Sequence, residues 1–103
     1  MNVLLIGIGF WGTNILKTLK RFNDVNIMVF DANTEALNKL NDKDITVVDN
    51  LEESLKDSNI EVVFVITPPH THFDLAQQAL LNDKHVFVEN PTTLSYFETK
   101  SLT

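Results

Sequence analysis

Apolar residues fall into short unbroken runs and into spaced sets, and the two patterns alternate along the chain. Val3-Leu4-Leu5-Ile6 is a run of strand length. Trp11, Ile15, Leu16, Leu19 and Phe22 then recur at helical spacing, and Ile27-Met28-Val29-Phe30 is a second run. Asn33-Thr34-Glu35 reads as the cap of a short helix carrying Ala36, Leu37 and Leu40. Ile45-Thr46-Val47-Val48 is a β-branched strand, and Asp49-Asn50 caps a helix from Leu51 to Asp57. Glu61-Val62-Val63-Phe64-Val65-Ile66 is the most apolar run and suits a central strand buried on both faces. Pro68-Pro69 forbids continuation as strand or as an immediate helix. The next helix is therefore expected from near Thr71 to Leu81, with Phe73, Ala76, Ala79 and Leu80 available for its buried face. His85-Val86-Phe87-Val88 is a fifth strand, ended by Pro91, and Ser95 with Glu98 has capping-box spacing ahead of a last helical turn or two.

Alternating strands and helices with no linker or repeat imply one α/β domain over residues 1–103: a doubly wound parallel sheet with right-handed crossovers. The expected strand order is 3-2-1-4-5, with a ligand crevice at the switch between strands 1 and 4. The residues at the C-terminal ends of the strands are then the candidates for chemistry. These are Gly7 to Gly12, Asp31, Thr67-Pro68-Pro69 and Glu89-Asn90-Pro91.

Gly7-Ile8-Gly9-Phe10-Trp11-Gly12 stands between a strand and a helix, and the second strand ends on Asp31. Strand, glycine turn, helix, strand and acid is the order of a dinucleotide-binding βαβ unit. Gly7 allows a sharp turn off the strand, Gly9 allows backbone to approach a pyrophosphate, and Gly12 allows the helix to pack closely. The diphosphate would rest on the helix N-terminus, where unpaired N–H groups favour an anion. Asp31 follows Gly12 by about 20 residues, the spacing at which a carboxylate accepts from the adenosine ribose hydroxyls. An acid there, followed by Ala32 and Asn33 and not by arginine, points to NAD in preference to NADP. Trp11, the first apolar residue of its helix, is expected to pack at the core or its rim in preference to stacking on a ligand.

Composition narrows the partners. The 103 residues are 44% hydrophobic, enough for one real core, and the formal net charge is −6. Lys17, Lys20 and Arg21 form the sole basic cluster, so nucleic acid is not an expected partner. The absence of cysteine suits a reducing cytoplasm and excludes thiolate metal sites. No apolar run reaches membrane-spanning length, and no signal peptide precedes the first strand. His70-Thr71-His72 with Asp74 lacks further ligands, so no metal is expected. Asp49, Glu52, Glu53 and Asp57 read as a solvated helix face.

Three segments together resemble the N-terminal domain of the Gfo/Idh/MocA oxidoreductases. They are Gly7 to Asn14, then Ile66-Thr67-Pro68-Pro69-His70-Thr71-His72 with Ala76, then Lys84-His85-Val86-Phe87-Val88-Glu89-Asn90-Pro91. The start Gly9-Phe10-Trp11-Gly12-Thr13-Asn14 is similar to members acting on sugars or sugar nucleotides. The resemblance implies a Rossmann fold whose cofactor-binding set is Gly7, Gly9, Phe10, Trp11, Gly12, Asp31, Thr67, Pro68, His72 and Glu89. Thr67-Pro68 would pass beside the cofactor, and Glu89 would contact the nicotinamide ribose. The family's next residue is a lysine that holds the substrate hydroxyl and assists proton transfer; here it is Asn90. Asparagine has no exchangeable proton of use and no charge to stabilise an alkoxide. Lys84 precedes the fifth strand, at its other end, so it is not a replacement. Family members also carry a C-terminal substrate domain, expected to be absent from this chain. The implied activity is NAD binding by part of an oxidoreductase, without catalysis by the chain alone. The alternative is a stand-alone nucleotide-binding or protein-interaction domain without enzymatic activity. An uncovered fifth strand or last helix would favour a homodimer, or association with a chain carrying the substrate domain.

Overall fold

The computed structural model describes residues 1–40, 43–67, 69–89 and 94–98, with backbone alone at 10, 11 and 69–72. The elements are β1 (Asn2–Ile6), α1 (Phe10–Leu19), β2 (Asn26–Phe30), α2 (Thr34–Asn38), β3 (Ile45–Val47), α3 (Leu51–Lys56), β4 (Val62–Val65), α4 (Pro69–Leu81), β5 (His85–Glu89) and β6 (Leu94–Phe97). They form a six-stranded sheet of order β3-β2-β1-β4-β5-β6. All pairings are parallel except β5 with β6. The order expected for the first five strands is the order observed.

Two apolar clusters lie on opposite faces of the sheet, because successive strand side chains alternate. Leu4, Ile6, Val63, Val65, Val86 and Val88 meet Leu55 and Ala79, from α3 and α4, on one face. Leu5, Ile27 and Val29 meet Leu16 on the other, with Ile15, Leu19, Ala36 and Leu37 packed against them. Leu4 and Leu5 are both wholly buried though adjacent, as a central parallel strand requires. Asn50 caps α3 by accepting from the Glu53 N–H at 3.0 Å, as its sequence promised.

Three expectations are corrected. The helix after Pro68-Pro69 begins at Pro69 itself, not near Thr71. Proline is tolerated in a helix's first turn, where its missing N–H would have no partner anyway. Phe73 does not join the buried face: it is 75% exposed, and Leu75, Ala76, Ala79 and Leu80 face the core instead. At about 100° per residue, Phe73 lies roughly a quarter-turn from the centre of that stripe. The capping-box segment is not helical. Residues 94–97 form β6, antiparallel to β5 in the register Val86↔Phe97 to Glu89↔Leu94.

Tertiary contacts explain that last reversal. Tyr96 packs against Phe87 with ring centroids 5.1 Å apart, and Phe87 stacks on Phe64 at 4.9 Å. The Tyr96 hydroxyl donates to Glu98 Oε2 at 2.7 Å and lies 2.7 Å from His85 Nδ1. Glu98, the expected capping residue, is thus committed to a side chain, and its carboxylate raises the Tyr96 pKa above 10.0. Pairing on both sides also removes the free β5 edge that was expected to drive dimerisation. Tyr96 and Phe97 are each 47% exposed on the new edge strand; Leu102 lies outside the described residues.

Lys84 sits where the sequence placed it, at the start of β5, but it is 3% exposed. Its Nζ donates to the Asp57 carbonyl at the end of α3, joining two turns at one pole of the sheet. Burial lowers its pKa from 10.5, with Asp57 and Asp83 acting in the opposite sense. The unfolded chain therefore holds this proton more tightly, so the Lys84 contribution to stability rises as pH climbs toward 10.5. Tyr96 has the opposite sign, its contribution being lost above 10.0. Lys84→Met keeps the stem but removes the ammonium from the Asp57 carbonyl, which retains the Ile60 N–H at 3.1 Å. The lost hydrogen bond should cost about 1 kcal/mol in urea unfolding. Calorimetric NAD+ affinity should not change, because the candidate site lies at the opposite pole.

Candidate cofactor site

β1 ends at Ile6, and the chain turns at Gly7, whose φ of +98° is a left-handed conformation that side chains rarely adopt. The Gly7 N–H donates to the Phe30 carbonyl at 2.8 Å, tying the end of β1 to the end of β2. A Cβ on Gly7 would stand 2.5 Å from the Ile66 carbonyl oxygen and 3.3 Å from the Thr67 methyl. A Cβ on Gly12 would collide with the Gly7 carbonyl oxygen. Both glycines are therefore required by the packing of the loop, the first turn of α1 and the end of β4. Gly9 is different: among the described residues nothing lies within 4 Å of its Cβ position.

Gly9 is the N-cap of α1 and offers no side-chain acceptor, whereas Asn33 and Asn50 close the starts of α2 and α3. The first N–H groups of a helix have no intrahelical acceptor. At α1 they face an open approach over Gly9, a fit for a diphosphate held by backbone N–H groups and the positive end of the helix dipole. Thr13 closes the turn from behind: its N–H donates to the Gly9 carbonyl at 2.9 Å and its hydroxyl to the Ile8 carbonyl at 3.2 Å.

Asp31 follows β2 directly and is half-buried. Its Oδ2 accepts from the Ile8 N–H at 2.8 Å, and its Oδ1 accepts from the Asn33 N–H at 2.8 Å. A carboxylate has about four lone-pair sites, so each oxygen retains one. Two acceptors on one carboxylate, beside the phosphate turn, suit the vicinal hydroxyls of an adenosine ribose.

Of the expected residues, the structure brings Gly7, Gly9, Gly12, Asp31 and Thr67 together at the C-terminal ends of β1, β2 and β4. Glu89 ends β5 at the same pole and is half-buried. His72 falls in the first turn of α4; its side chain, with those of Phe10 and Trp11, lies outside what is described. Pro68 and Asn90 lie outside the described residues altogether. Sequence reasoning passed over two groups that hold Asp31. The Ile8 N–H has no side-chain signal, since any residue supplies it. The Asn33 N–H has none either, since the Asn33 side chain signals the cap of α2 and not a contact with Asp31.

Comparison with known proteins gives this geometry a context. The family described as "Oxidoreductase family, NAD-binding Rossmann fold", Gfo/Idh/MocA, matches residues 1–103. An uncharacterized oxidoreductase of Schizosaccharomyces pombe is 45% identical over 58 residues, covering 56% of this chain and 16% of its own length. The scyllo-inositol 2-dehydrogenase (NAD(+)) of Bacillus subtilis is 45% identical over 49 residues, covering 48% and 14%. Among solved structures, an NAD-binding protein from Listeria innocua superposes with a TM-score of 0.78 at 27% identity, covering 89% of this chain and 28% of that one. The chain thus corresponds to less than a third of each of these relatives.

Proposed function

This chain belongs to the Gfo/Idh/MocA oxidoreductase family and is an NAD-binding Rossmann fold, and from that premise we propose that it holds NAD(H) for an oxidoreductase acting on a sugar or polyol. The observation that carries this reading is the 2.8 Å bond from the Ile8 N–H to Asp31 Oδ2. It fixes the ribose acceptor against the glycine turn, so one ligand can engage both ends of the site. Gly9 and the first turn of α1 would receive the diphosphate, Asp31 the adenosine ribose, and Thr67 and Glu89 the nicotinamide half. The nicotinamide supplies hydride acceptance or donation when bound. The polyol class rests on similarity to the Bacillus subtilis inositol enzyme, together with Phe10, Trp11 and Asn14 around the glycine turn.

The chain's own part is to bind and orient the cofactor, and we propose that it does not turn over substrate by itself. Asn90 occupies the position where the family resemblance implies a proton-transferring lysine. A neutral amide is neither a general acid nor a general base near neutral pH, and it has no charge to stabilise a developing alkoxide. Lys84 cannot substitute, because its ammonium is engaged with the Asp57 carbonyl at the other pole.

The second reading, a nucleotide-binding domain without chemistry, is favoured by the same Asn90. Calorimetry with NAD+, followed by absorbance assays with scyllo-inositol and other polyols, tests both. The expected outcome is NAD+ binding without NADH formation, and Asn90→Lys alone should not start turnover. NADH formation that Gly9→Val abolishes would refute the inactive reading. Absence of NAD+ binding would refute both.

A further inference from the structure

We propose that Asn33 is a positioning residue for the cofactor site, one that aims the Asp31 carboxylate before ligand arrives. The inference rests on the NAD-binding reading above and adds a residue to it. Two N–H groups from separate elements grip Asp31: that of Ile8 on Oδ2 and that of Asn33 on Oδ1, both at 2.8 Å. With one N–H on each oxygen, the carboxylate cannot rotate without losing a bond. The remaining lone pair on each oxygen is therefore fixed in direction.

The two grips differ in how firmly they are themselves held. Ile8 belongs to the glycine turn and is 7% exposed, locked between β1 and α1. Asn33 lies on the exposed turn into α2, a helix of only five residues, too short to be stable on its own. Its side chain supplies the missing constraint. Asn33 Oδ1 accepts from the Glu35 N–H at 3.0 Å and from the Ala36 N–H at 3.4 Å, while its carbonyl accepts from the Leu37 N–H at 3.3 Å. Ala36 and Leu37 pack against the cluster of Leu5, Ile27 and Val29. The cap thus ties the turn to the core through α2, and the turn's N–H holds Asp31. Removing the side-chain oxygen frees the turn, and the carboxylate then samples orientations that the ribose must select against, which lowers affinity.

A double-mutant cycle on the full chain tests the coupling, with NAD+ titrated to millimolar concentration by amide chemical shifts. Asn33→Ala should weaken NAD+ binding about five-fold, within the effect typical of a lost cap oxygen. On an Asp31→Ala background the same change should do nothing. Asn33→Ser keeps an acceptor oxygen and should restore affinity. The Ile8 amide gives an independent signature: it is distant in sequence, yet its proton resonance should shift upfield in Asn33→Ala as the bond to Asp31 loosens, and return in Asn33→Ser. Equal losses on both backgrounds would mean that Asn33 acts through general stability and would overturn the proposal. Unchanged affinity and an unmoved Ile8 amide in Asn33→Ala would overturn it too. If the wild-type chain fails to bind NAD+ at all, the underlying reading falls and takes this one with it.

Discussion

Gly12→Ala should remove a large part of the chain's stability, whereas Gly9→Val should leave it about as stable as before and unable to bind NAD+. The difference follows from what each new Cβ meets. At Gly12 it falls on the Gly7 carbonyl oxygen, a backbone atom between β1 and α1 that has no room to retreat. Overpacking against movable side chains costs about 1–3 kcal/mol, and a collision with fixed backbone lies at or beyond the top of that range. A domain of this size has only about 5–15 kcal/mol in total. Gly7→Ala adds a left-handed φ to a 2.5 Å approach to Ile66 and should be equally damaging. Gly9 has nothing within 4 Å among the described residues, so a side chain there meets only the space proposed for ligand. Its folded state should change by about 1 kcal/mol or less, the difference among N-cap residues. On the proposed reading, in which backbone at Gly9 approaches the pyrophosphate, NAD+ affinity should fall at least about a hundred-fold. Thermal melts followed by calorimetry on the three variants read both effects. A Gly12→Ala that melts with the wild-type chain, or a Gly9→Val that still binds, would break the division of labour among the glycines.

How much of this was legible beforehand depends on how local each cause is. β1, α1 and β2 were readable because apolar runs, helical spacing and three glycines at fixed offsets all specify the same unit. The order of the first five strands followed from alternation together with the glycine turn that marks a dinucleotide-binding unit. β6 was not readable. Ser95 and Glu98 carry a helix-start signal, but the Phe87 ring and His85, about ten residues earlier in the chain, offer Tyr96 a better set of contacts. Phe73 was misplaced because helical spacing fixes which residues share a stripe without fixing which stripe meets the sheet. Lys84 was located correctly, but its burial depends on the Asp57 carbonyl, which only the folded chain brings near. The site divides in the same way. Asp31 and the glycines stood out because their spacing is that of a dinucleotide-binding βαβ unit. The grip of Ile8 and Asn33 on Asp31 was hidden, since it uses backbone N–H groups that every sequence possesses.

That grip is the basis of the second large effect: NAD+ should bind at least about thirty-fold more tightly than NADP+. Asp31 presents fixed negative charge, with Oδ1 and Oδ2 held in place and one lone pair free on each. The 2′-hydroxyl of NAD+ can donate to one of them. A 2′-phosphate offers no such donor and brings about −1.5 to −2 further charge. Two unit charges about 4 Å apart repel by about 4 kcal/mol at an effective dielectric of 20, and by about 1 kcal/mol in water. Asp31 is half-buried, so an intermediate penalty near 2 kcal/mol, or about thirty-fold, is a conservative expectation. The turn Asp31-Ala32-Asn33 carries no cation to offset it. The anchored carboxylate also cannot swing aside, because leaving the ribose position means abandoning two N–H groups. Asp31→Ser should therefore compress the preference to within a few-fold, chiefly by weakening NAD+ and removing the repulsion of NADP+. Calorimetric titration of both cofactors, at low and at high salt, gives a further check. The gap should narrow as salt screens the repulsion, without closing, because the lost hydroxyl bond is insensitive to ionic strength. Equal affinities in the wild-type chain would show that the 2′-phosphate finds another route past Asp31.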